Sequence, residues 1–510
     1  MALPVKSYQF STNEMKGVYE CVKEAIVCPP GLPRANPTIS SWQSPPDAVS
    51  NVRSAVLPEE VDIAIIGSGI TGCSAARTIA GHQVGSTMRV AVLEARTAVS
   101  GATGRNGGHL ISDTWGLFPE LVDEFGFEVA VDVARFSAAN VSTLRKVVAG
   151  LNEADQEAVG FRDLVATASL SDAQSWEGSK RAVEIFSEAM GPDFPIEAEV
   201  LTDKEKAKRD YLYANGVGFM NQHGAAALSA YRLVTAVWRQ ILDNHPNCLT
   251  LETETPVLSV ETETWQGKDG YRLTTPRGTI RASKVIHCTN GYAANLLPNL
   301  VGKLYPLRGT MSEQELGPSF PQLGTEYSWT STGLGTYDKK SDELLVNLWY
   351  AQQNSKTGNL FIGGEHQPIK EMLNADDSKI SSSARTHLSA ITPKIFHNAE
   401  PTSVKNMWSG IMGFTADLFP FVGPLSNEIT GRDGNGEFIA AGFSGHGMDK
   451  CWLCGEAAAL MALGEDAPAG FPKPFLISNS RIQEGTPEAA AKALIESIVC
   501  LVDAPNDAVE

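Results

Sequence analysis

No apolar run in this 510-residue chain approaches the roughly 20 residues that a membrane-spanning helix needs, and the opening Met1–Tyr8 stretch lacks the apolar core of a signal peptide. A cytoplasmic protein with no membrane partner is the expectation. Positive charge is also short: 41 Lys and Arg stand against 59 Asp and Glu, a formal net charge of -18. Nucleic acid and anionic lipid reward basic patches, so neither is expected as a partner. Cysteine is sparse and scattered over eight positions, which excludes a disulfide framework and suits buried thiols in a reducing compartment. Only Cys451-Trp452-Leu453-Cys454 has motif spacing. No second ligand pair accompanies it, so no zinc site is expected; a redox dithiol and two small apolar side chains on a packed helix both remain open.

What is present is a globular composition, 43% hydrophobic and 20% charged, in a chain too long for one ordinary core. Two domains are expected. Residues 1–60 carry Pro29-Pro30, Pro33, Pro37 and Pro45-Pro46 and read as an extended arm, with a short helix over Met15–Ile26, strapped onto the body. Apolar residues recur at helical spacing from Phe118 to Ala158, and further helices are predicted at 180–190 and 228–242. A strand pair is predicted at 249–263 and 271–275, and alternating segments between Leu304 and Gly364 predict an antiparallel sheet. Within it Trp349 and Tyr350 fall on opposite faces, so at most one lines a pocket.

The most informative stretch runs from Val61 to Gly72: an apolar strand enters Gly67-Ser68-Gly69-Ile70-Thr71-Gly72, and a helix-prone segment follows. Glycines there permit a tight turn and close backbone approach to a pyrophosphate at a helix start. A second strand, Arg89–Leu93, ends on Glu94, about 20 residues past the last glycine, where a carboxylate reaches an adenosine ribose. The acid opposes a 2′-phosphate, leaving FAD or NAD. A later strand, Lys284–Cys288, ends at Thr289-Asn290, a second strand terminus able to face a ligand. Another strand, 437–441, runs into Gly442-Phe443-Ser444-Gly445-His446-Gly447-Met448 and then the apolar helix 451–463, whose amino end offers backbone donors.

Four pieces in order, namely Gly67–Gly72 with Glu94, Ser100–His109, Trp408–Gly423 and Gly442–Gly447, resemble the D-amino-acid-oxidase-like, glycine/sarcosine-oxidase-type family of FAD-dependent amine oxidoreductases. The Ser-Gly-Ala-Thr-Gly-Arg-Asn-Gly-Gly form at 100–108 is similar to the branch that includes gamma-glutamylputrescine oxidoreductase. The resemblance implies an α/β fold (α+β overall), with a Rossmann-like FAD-binding domain from 61–112, 215–300 and 401–470. A substrate domain from 113–214 and 301–400 would roof the flavin with its antiparallel sheet, and 471–510 would form a tail. By this similarity Gly67, Ser68, Gly69, Ile70, Thr71 and Gly72 hold the pyrophosphate. Glu94, followed by Ala95 and Arg96, holds the ribose, and Val257 meets the adenine through its backbone. Thr103, Gly104, Arg105, Asn106, Gly107 and Gly108 run along the isoalloxazine. Ser444, Gly445, His446, Gly447 and Met448 face its pyrimidine edge, and Thr289, Asn290 and Gly410 complete the cofactor set.

The implied chemistry is hydride removal from a carbon bearing an amine or amino-acid nitrogen, giving an imine that water hydrolyses, with oxygen or another acceptor regenerating the cofactor. Some relatives attach flavin through a Cys before the Trp408-like position or a His in the first loop. Here Met407 and Arg105 stand there, so non-covalent FAD is expected. His109 and His446 are the candidate groups for tuning proton and charge. Relatives of the sarcosine type place a Lys where this chain has Asp449. Asp449 either points at the pocket and favours a cationic amine, or complements the helix dipole while Lys450 points inward. Arg308 is the remaining candidate to bind a carboxylate or a flavin carbonyl, against a plain ion pair. The alternatives are an oxidase of a specialised biosynthetic intermediate, or a non-catalytic FAD-binding regulatory protein.

Overall fold

The computed structural model describes residues 13–338, 343–397, 399–400 and 403–498. The apolar run Val61–Ile66 is buried along nearly its whole length, as a strand covered on both faces must be. The strand Glu60–Ile66 pairs in parallel with Val90–Leu93 on one side and Gly278–His287 on the other. Strand order across this first sheet is Phe421–Pro424, Glu437–Ala441, Gly278–His287, Glu60–Ile66, Val90–Leu93, Leu249–Glu252. Five of these strands, beginning at Glu60, Val90, Leu249, Gly278 and Glu437, run in the same direction. Their carboxyl ends therefore meet on one edge, where the two glycine turns start.

The stretch expected as one strand from Leu249 to Glu263 divides in two. Pro256 has no N–H for a ladder, and Glu254 takes a positive φ of 51°, so the chain leaves Val90–Leu93 and re-enters as Ser259–Trp265, which pairs with Lys268–Thr275. Helices expected from periodicity are present as Thr114–Phe125, Phe127–Ala149, Glu153–Val159, Ala173–Met190 and Ala230–Asn244.

The second sheet has the order Ser403–Thr415, Leu304–Glu315, Leu360–Pro368, Glu343–Gln353, Tyr327–Thr332, Arg162–Leu170, Gly218–Ala227, His109–Leu110. Its pairing is antiparallel except between Tyr327–Thr332 and Arg162–Leu170. Residues 218–227 and 403–415, expected in the nucleotide domain, belong to this sheet. The reason is their length: Ser403–Thr415 pairs along the whole of Leu304–Glu315, and Gly218–Ala227 serves as partner to three strands. Trp349 lies in the core on the face remote from Gly107, with Trp329 and Phe396, whereas Tyr350 lies against Gly107, so alternation places the two rings as expected.

The arm packs on the body as a strap. Trp42 stacks on Phe361 at 4.2 Å between ring centroids and donates its indole N–H to the Asn106 carbonyl at 2.7 Å. Val18, Val22 and Ile26 of the helix Asn13–Ile26 share a core with Ala491, Leu494 and Ile495 of Pro487–Ile498, so arm and tail close on each other. Cys500 lies outside the described residues. Among the described residues no helix is long and apolar enough to cross a membrane.

Cys451 and Cys454 sit on the buried helix Cys451–Leu463, which crosses Ile70–Gly81 closely enough that a Cβ on Gly455 would lie 2.3 Å from the Thr71 carbonyl oxygen. Burial pushes both thiols up, the opposite of what a reactive dithiol needs, and the packed-helix reading fits. Gly455→Val should destabilise the protein by about 1–3 kcal/mol through overpacking against backbone that cannot yield. Chemical denaturation measures it, and an unchanged midpoint would refute the close helix contact.

Candidate active site

At the strand edge, Gly67 has φ of +107°, and a Cβ there would meet the Cys288 carbonyl oxygen at 2.6 Å. A Cβ on Gly72 would lie 2.0 Å from the Gly67 carbonyl oxygen. Only glycine passes at both points. The helix Ile70–Gly81 starts at Gly69 with no side-chain cap on its first amides, although Ile70 N–H donates to Thr103 Oγ1 at 3.0 Å. Glu94 holds the turn: its carboxylate accepts from Ser68 N–H at 3.1 Å, Ser68 Oγ at 2.6 Å and Arg96 N–H at 3.0 Å. A carboxylate offers about four acceptor sites, so capacity for a ribose hydroxyl remains. Thr289 Oγ1, at the end of the neighbouring strand, is buried with no hydrogen-bond partner in the protein. A helix start capped by a side chain only at Ile70, a glycine cradle and an orphaned hydroxyl on one strand edge fit a dinucleotide pyrophosphate. Val257 is buried in the same apolar cluster as Leu93, the residue before Glu94.

Arg96 and Arg105 do not offer their guanidinium groups to this edge. Arg96 Nη1 pairs with buried Asp377 at 2.8 Å, and Arg105 Nε lies 3.8 Å from the same carboxylate. Arg105 also donates to the Ser100 and Ser409 carbonyls, each at 2.7 Å. Both arginines thus brace the loop from within, leaving its backbone to face a ligand. Asn106 ties that loop by accepting from Gly108 N–H at 3.0 Å and donating to the Thr103 carbonyl at 3.3 Å. Gly410 lies beneath it, where a Cβ would come within 3.2 Å of the Arg105 Cβ.

The second glycine turn is bound to the end of the strand Gly278–His287 by Asn290, whose side-chain oxygen accepts from Gly442 N–H at 3.0 Å. Ser444 holds φ of +48°, and its N–H donates to the Gly413 carbonyl at 2.7 Å. Met448 offers its carbonyl to Asn140 Nδ2 at 2.9 Å, so the helix Phe127–Ala149 clamps the turn. Gly447 begins the next helix by accepting from Cys451 N–H.

Beyond these turns the roof sheet brings together His109, Tyr350, Asp113 and His446. The His109 ring lies edge-on to Tyr350 at 6.1 Å, and its Nε2 is 3.2 Å from the Ala351 carbonyl. A carbonyl only accepts, so Nε2 carries the hydrogen and Nδ1 is left as the acceptor, toward Gly107. Burial pushes the His109 pKa down to about 4, against the opposing hydrogen bond to Ala351. His446 Nδ1 lies 2.7 Å from Asp113 Oδ2, which fixes the orientation of the second imidazole.

Two expected roles change. Asp449 is 2% exposed, with Lys450 Nζ at 2.7 Å and Ser137 Oγ at 2.7 Å. Lys450 also donates to the His446 carbonyl at 3.3 Å. The two charges cancel inside the protein: Lys450 points inward, onto Asp449 and the His446 carbonyl, the carboxylate is not aimed at substrate, and the argument from Asp449 for a cationic substrate falls. Arg308 donates to the Asp376 carbonyl at 3.1 Å and lies 3.5 Å from the exposed carboxylate of Glu371, so the ion-pair reading describes its guanidinium.

Sequence reasoning missed Asp113 and Asp377. Asp113-Thr114 before an amphipathic run is a helix-start signature that would have marked Asp113 as a boundary, though not as a partner of His446, 333 positions later. Asp377 carries no local signal.

A model of the family described as FAD dependent oxidoreductase matches residues 62–461. The chain is similar to the probable oxidoreductase OrdL of Rhizobium meliloti (strain 1021), 24% identical over 449 residues, which cover 86% of this chain and 94% of that one. Among solved structures it is similar to glycine oxidase from Geobacillus kaustophilus, with a TM-score of 0.61 and 21% identity, covering 82% of this chain and 99% of that one. L-proline dehydrogenase from P. horikoshii gives a TM-score of 0.59 at 20% identity, covering 84% of this chain and 100% of that one.

The depressed His109 pKa has a stability consequence. Between the ordinary histidine pKa of about 6.5 and about 4, the unfolded chain takes a proton that the folded protein refuses, so stability falls as pH drops through that window. In His109→Gln the decline in Tm over pH 6.5 to 4 should be shallower than in the parent protein; parallel curves would show that His109 is not buried in the neutral form.

Proposed function

The chain belongs to the DAO family of FAD-dependent oxidoreductases, and on that premise we propose that it oxidises the C–N bond of an amine or amino acid, with oxygen as electron acceptor. The observation that supports this reading is the convergence of the loop 103–109, the turn 442–448 and the roof residue Tyr350 around two differently partnered histidines. The cofactor supplies the hydride acceptor when bound. What remains for the protein is orientation, water exclusion and control of protons.

In this reading Gly67–Gly72 and Glu94 hold the adenylate end, the backbone of 103–108 lies along the ring system, and Ser444–Met448 meets its pyrimidine edge. His109 Nδ1 accepts a hydrogen bond from the substrate N–H and so directs the nitrogen lone pair. With a pKa near 4 it does not keep a proton at neutral pH, so the amine must arrive already neutral. Asp113 orients His446 against charge that develops opposite it. Met407 and Arg105, standing where relatives can carry attaching residues, leave the cofactor non-covalently bound.

Purified protein should be yellow, lose the colour to the supernatant on acid precipitation, and bleach anaerobically on mixing with an amine or amino acid. Colour retained on the precipitated chain would overturn non-covalent binding, and failure of every amine to bleach the flavin would overturn the activity. With a reactive substrate, kcat/KM should rise with pH along the titration of the free amine, and His109→Gln should lower its value without moving that pKa. A profile whose midpoint moves in the variant would make His109 the proton acceptor instead.

A further inference from the structure

Two consecutive carbonyls in the loop after Glu94 are each held by an indole. Trp408 Nε1 donates to the Arg105 carbonyl at 2.9 Å, and Trp42 Nε1 donates to the Asn106 carbonyl at 2.7 Å. Both indoles pack on Phe361, with centroids 6.0 and 4.2 Å from its ring, so one side chain of the roof fixes where both donors stand. A Cβ on Gly108 would lie 2.9 Å from Trp42 Cζ2, which shows how closely that ring is pressed on the loop. Both tryptophans are buried, so water does not compete for either bond. They arrive from opposite ends of the chain. Trp408 belongs to the strand Ser403–Thr415, whereas Trp42 comes from the arm, outside residues 62–461.

In a trans peptide the C=O and the following N–H point in opposite directions, and both peptides here are trans. Holding the Arg105 carbonyl therefore aims the Asn106 N–H away from Trp408. Holding the Asn106 carbonyl aims the Gly107 N–H away from Trp42. Among the described residues neither of these N–H groups has a hydrogen-bond partner. Their neighbours do: Gly104 and Arg105 N–H donate to the Gly101 and Ala102 carbonyls, and Gly108 N–H donates to Asn106 Oδ1. Gly107 is buried, and buried backbone N–H groups are nearly always paired. Successive backbone donors left open in this way form a concavity for an electron-rich group.

We propose that Trp42 and Trp408 are positioning residues that aim the Asn106 and Gly107 N–H groups at an electron-rich edge of the bound isoalloxazine, and so raise the reduction potential of the cofactor. This rests on the placement of 103–108 along the ring system given above, and it adds the arm to the redox machinery. The indoles act through the peptides they hold. Reduction adds electron density to the ring system, so fixed donors bond the reduced form more strongly than the oxidised form.

The test uses the full chain loaded with FAD and needs no substrate. Trp42→Phe and Trp408→Phe each keep a ring on Phe361 and remove the N–H. Each should lower the midpoint potential, shifting the balance of oxidised and reduced flavin by about tenfold, or about 30 mV for a two-electron couple. Arg239→Gln releases the arm's tie through Asp47 and leaves both indoles in place, so it should leave the potential unchanged even where it lowers Tm. Hydrogen exchange resolved to single residues should show the Asn106 and Gly107 N–H groups slowed when FAD is added to the apoprotein. Potentials equal to the parent's in both Phe variants, or an equal shift in Arg239→Gln, overturn the assignment. So does exchange that FAD leaves unchanged, as a water or a substrate atom on these donors would leave it. Should one Phe variant not retain FAD, the other carries the potential, and exchange in the parent protein decides if neither retains it. If no amine bleaches the flavin, the oxidase reading fails while the potential and the exchange still decide this one.

Discussion

Asp377 is buried between two guanidinium groups, and three separate parts of the chain depend on it. Its carboxylate pairs with Arg96 at 2.8 Å and faces Arg105 at 3.8 Å, while its backbone carbonyl accepts from Thr38 N–H and Oγ1. Burial lowers the Arg105 pKa to about 10, with Asp377 opposing that shift, so the guanidinium still carries charge at neutral pH. A buried charge is tolerated only when paired and hydrogen-bonded, and here the bonds that satisfy it come from the arm, the loop after Glu94 and the segment before residue 380. The same bonds therefore hold those segments in one arrangement. The loop 96–109 has few apolar side chains with which to fold itself, and its shape is imposed by this cluster and by Asn106 and Trp42.

A second buried pair does the corresponding work at the other turn. Asp449 and Lys450 neutralise one another, and through Ser137 and the His446 carbonyl they connect the turn to the helix Phe127–Ala149. Asn290 adds a direct bond from the end of the strand Gly278–His287 to the second glycine turn. The charged residues nearest the glycine turns are thus spent on holding backbone. That leaves backbone amides and small residues at the surface of the cradle, which suits a large, planar, polar-edged cofactor.

The parallel strands and both glycine turns were legible because their determinants are contiguous: an apolar run, a turn that excludes a Cβ, and a helix start lie within a dozen residues. The roof sheet was legible in kind but not in extent. Residues 218–227 and 403–415 join it through pairing with distant strands, and pairing partners leave no mark on the local pattern. Side-chain roles were least legible where the partner sits far along the chain. Position alone suggested that Asp449 could face the substrate, and only the fold shows that Lys450 and Ser137 occupy its carboxylate. Arg308 is likewise claimed by Asp376 and Glu371. Asp113 shows the converse, an ordinary helix-start residue in sequence that becomes a partner of His446.

The two histidines differ in what their surroundings permit. His109 has a backbone carbonyl at Nε2 and no charged partner in hydrogen-bond contact, and burial leaves it neutral across the physiological range. His446 has a carboxylate at Nδ1 and a carbonyl already engaged by Lys450. A neutral imidazole with one acceptor nitrogen can align an amine without trapping its proton, and an imidazole braced by a carboxylate can answer charge appearing on the far side of a bound ring. Since Asp449 and Lys450 cancel, the charge left beside the second turn is the Asp113 carboxylate held against His446.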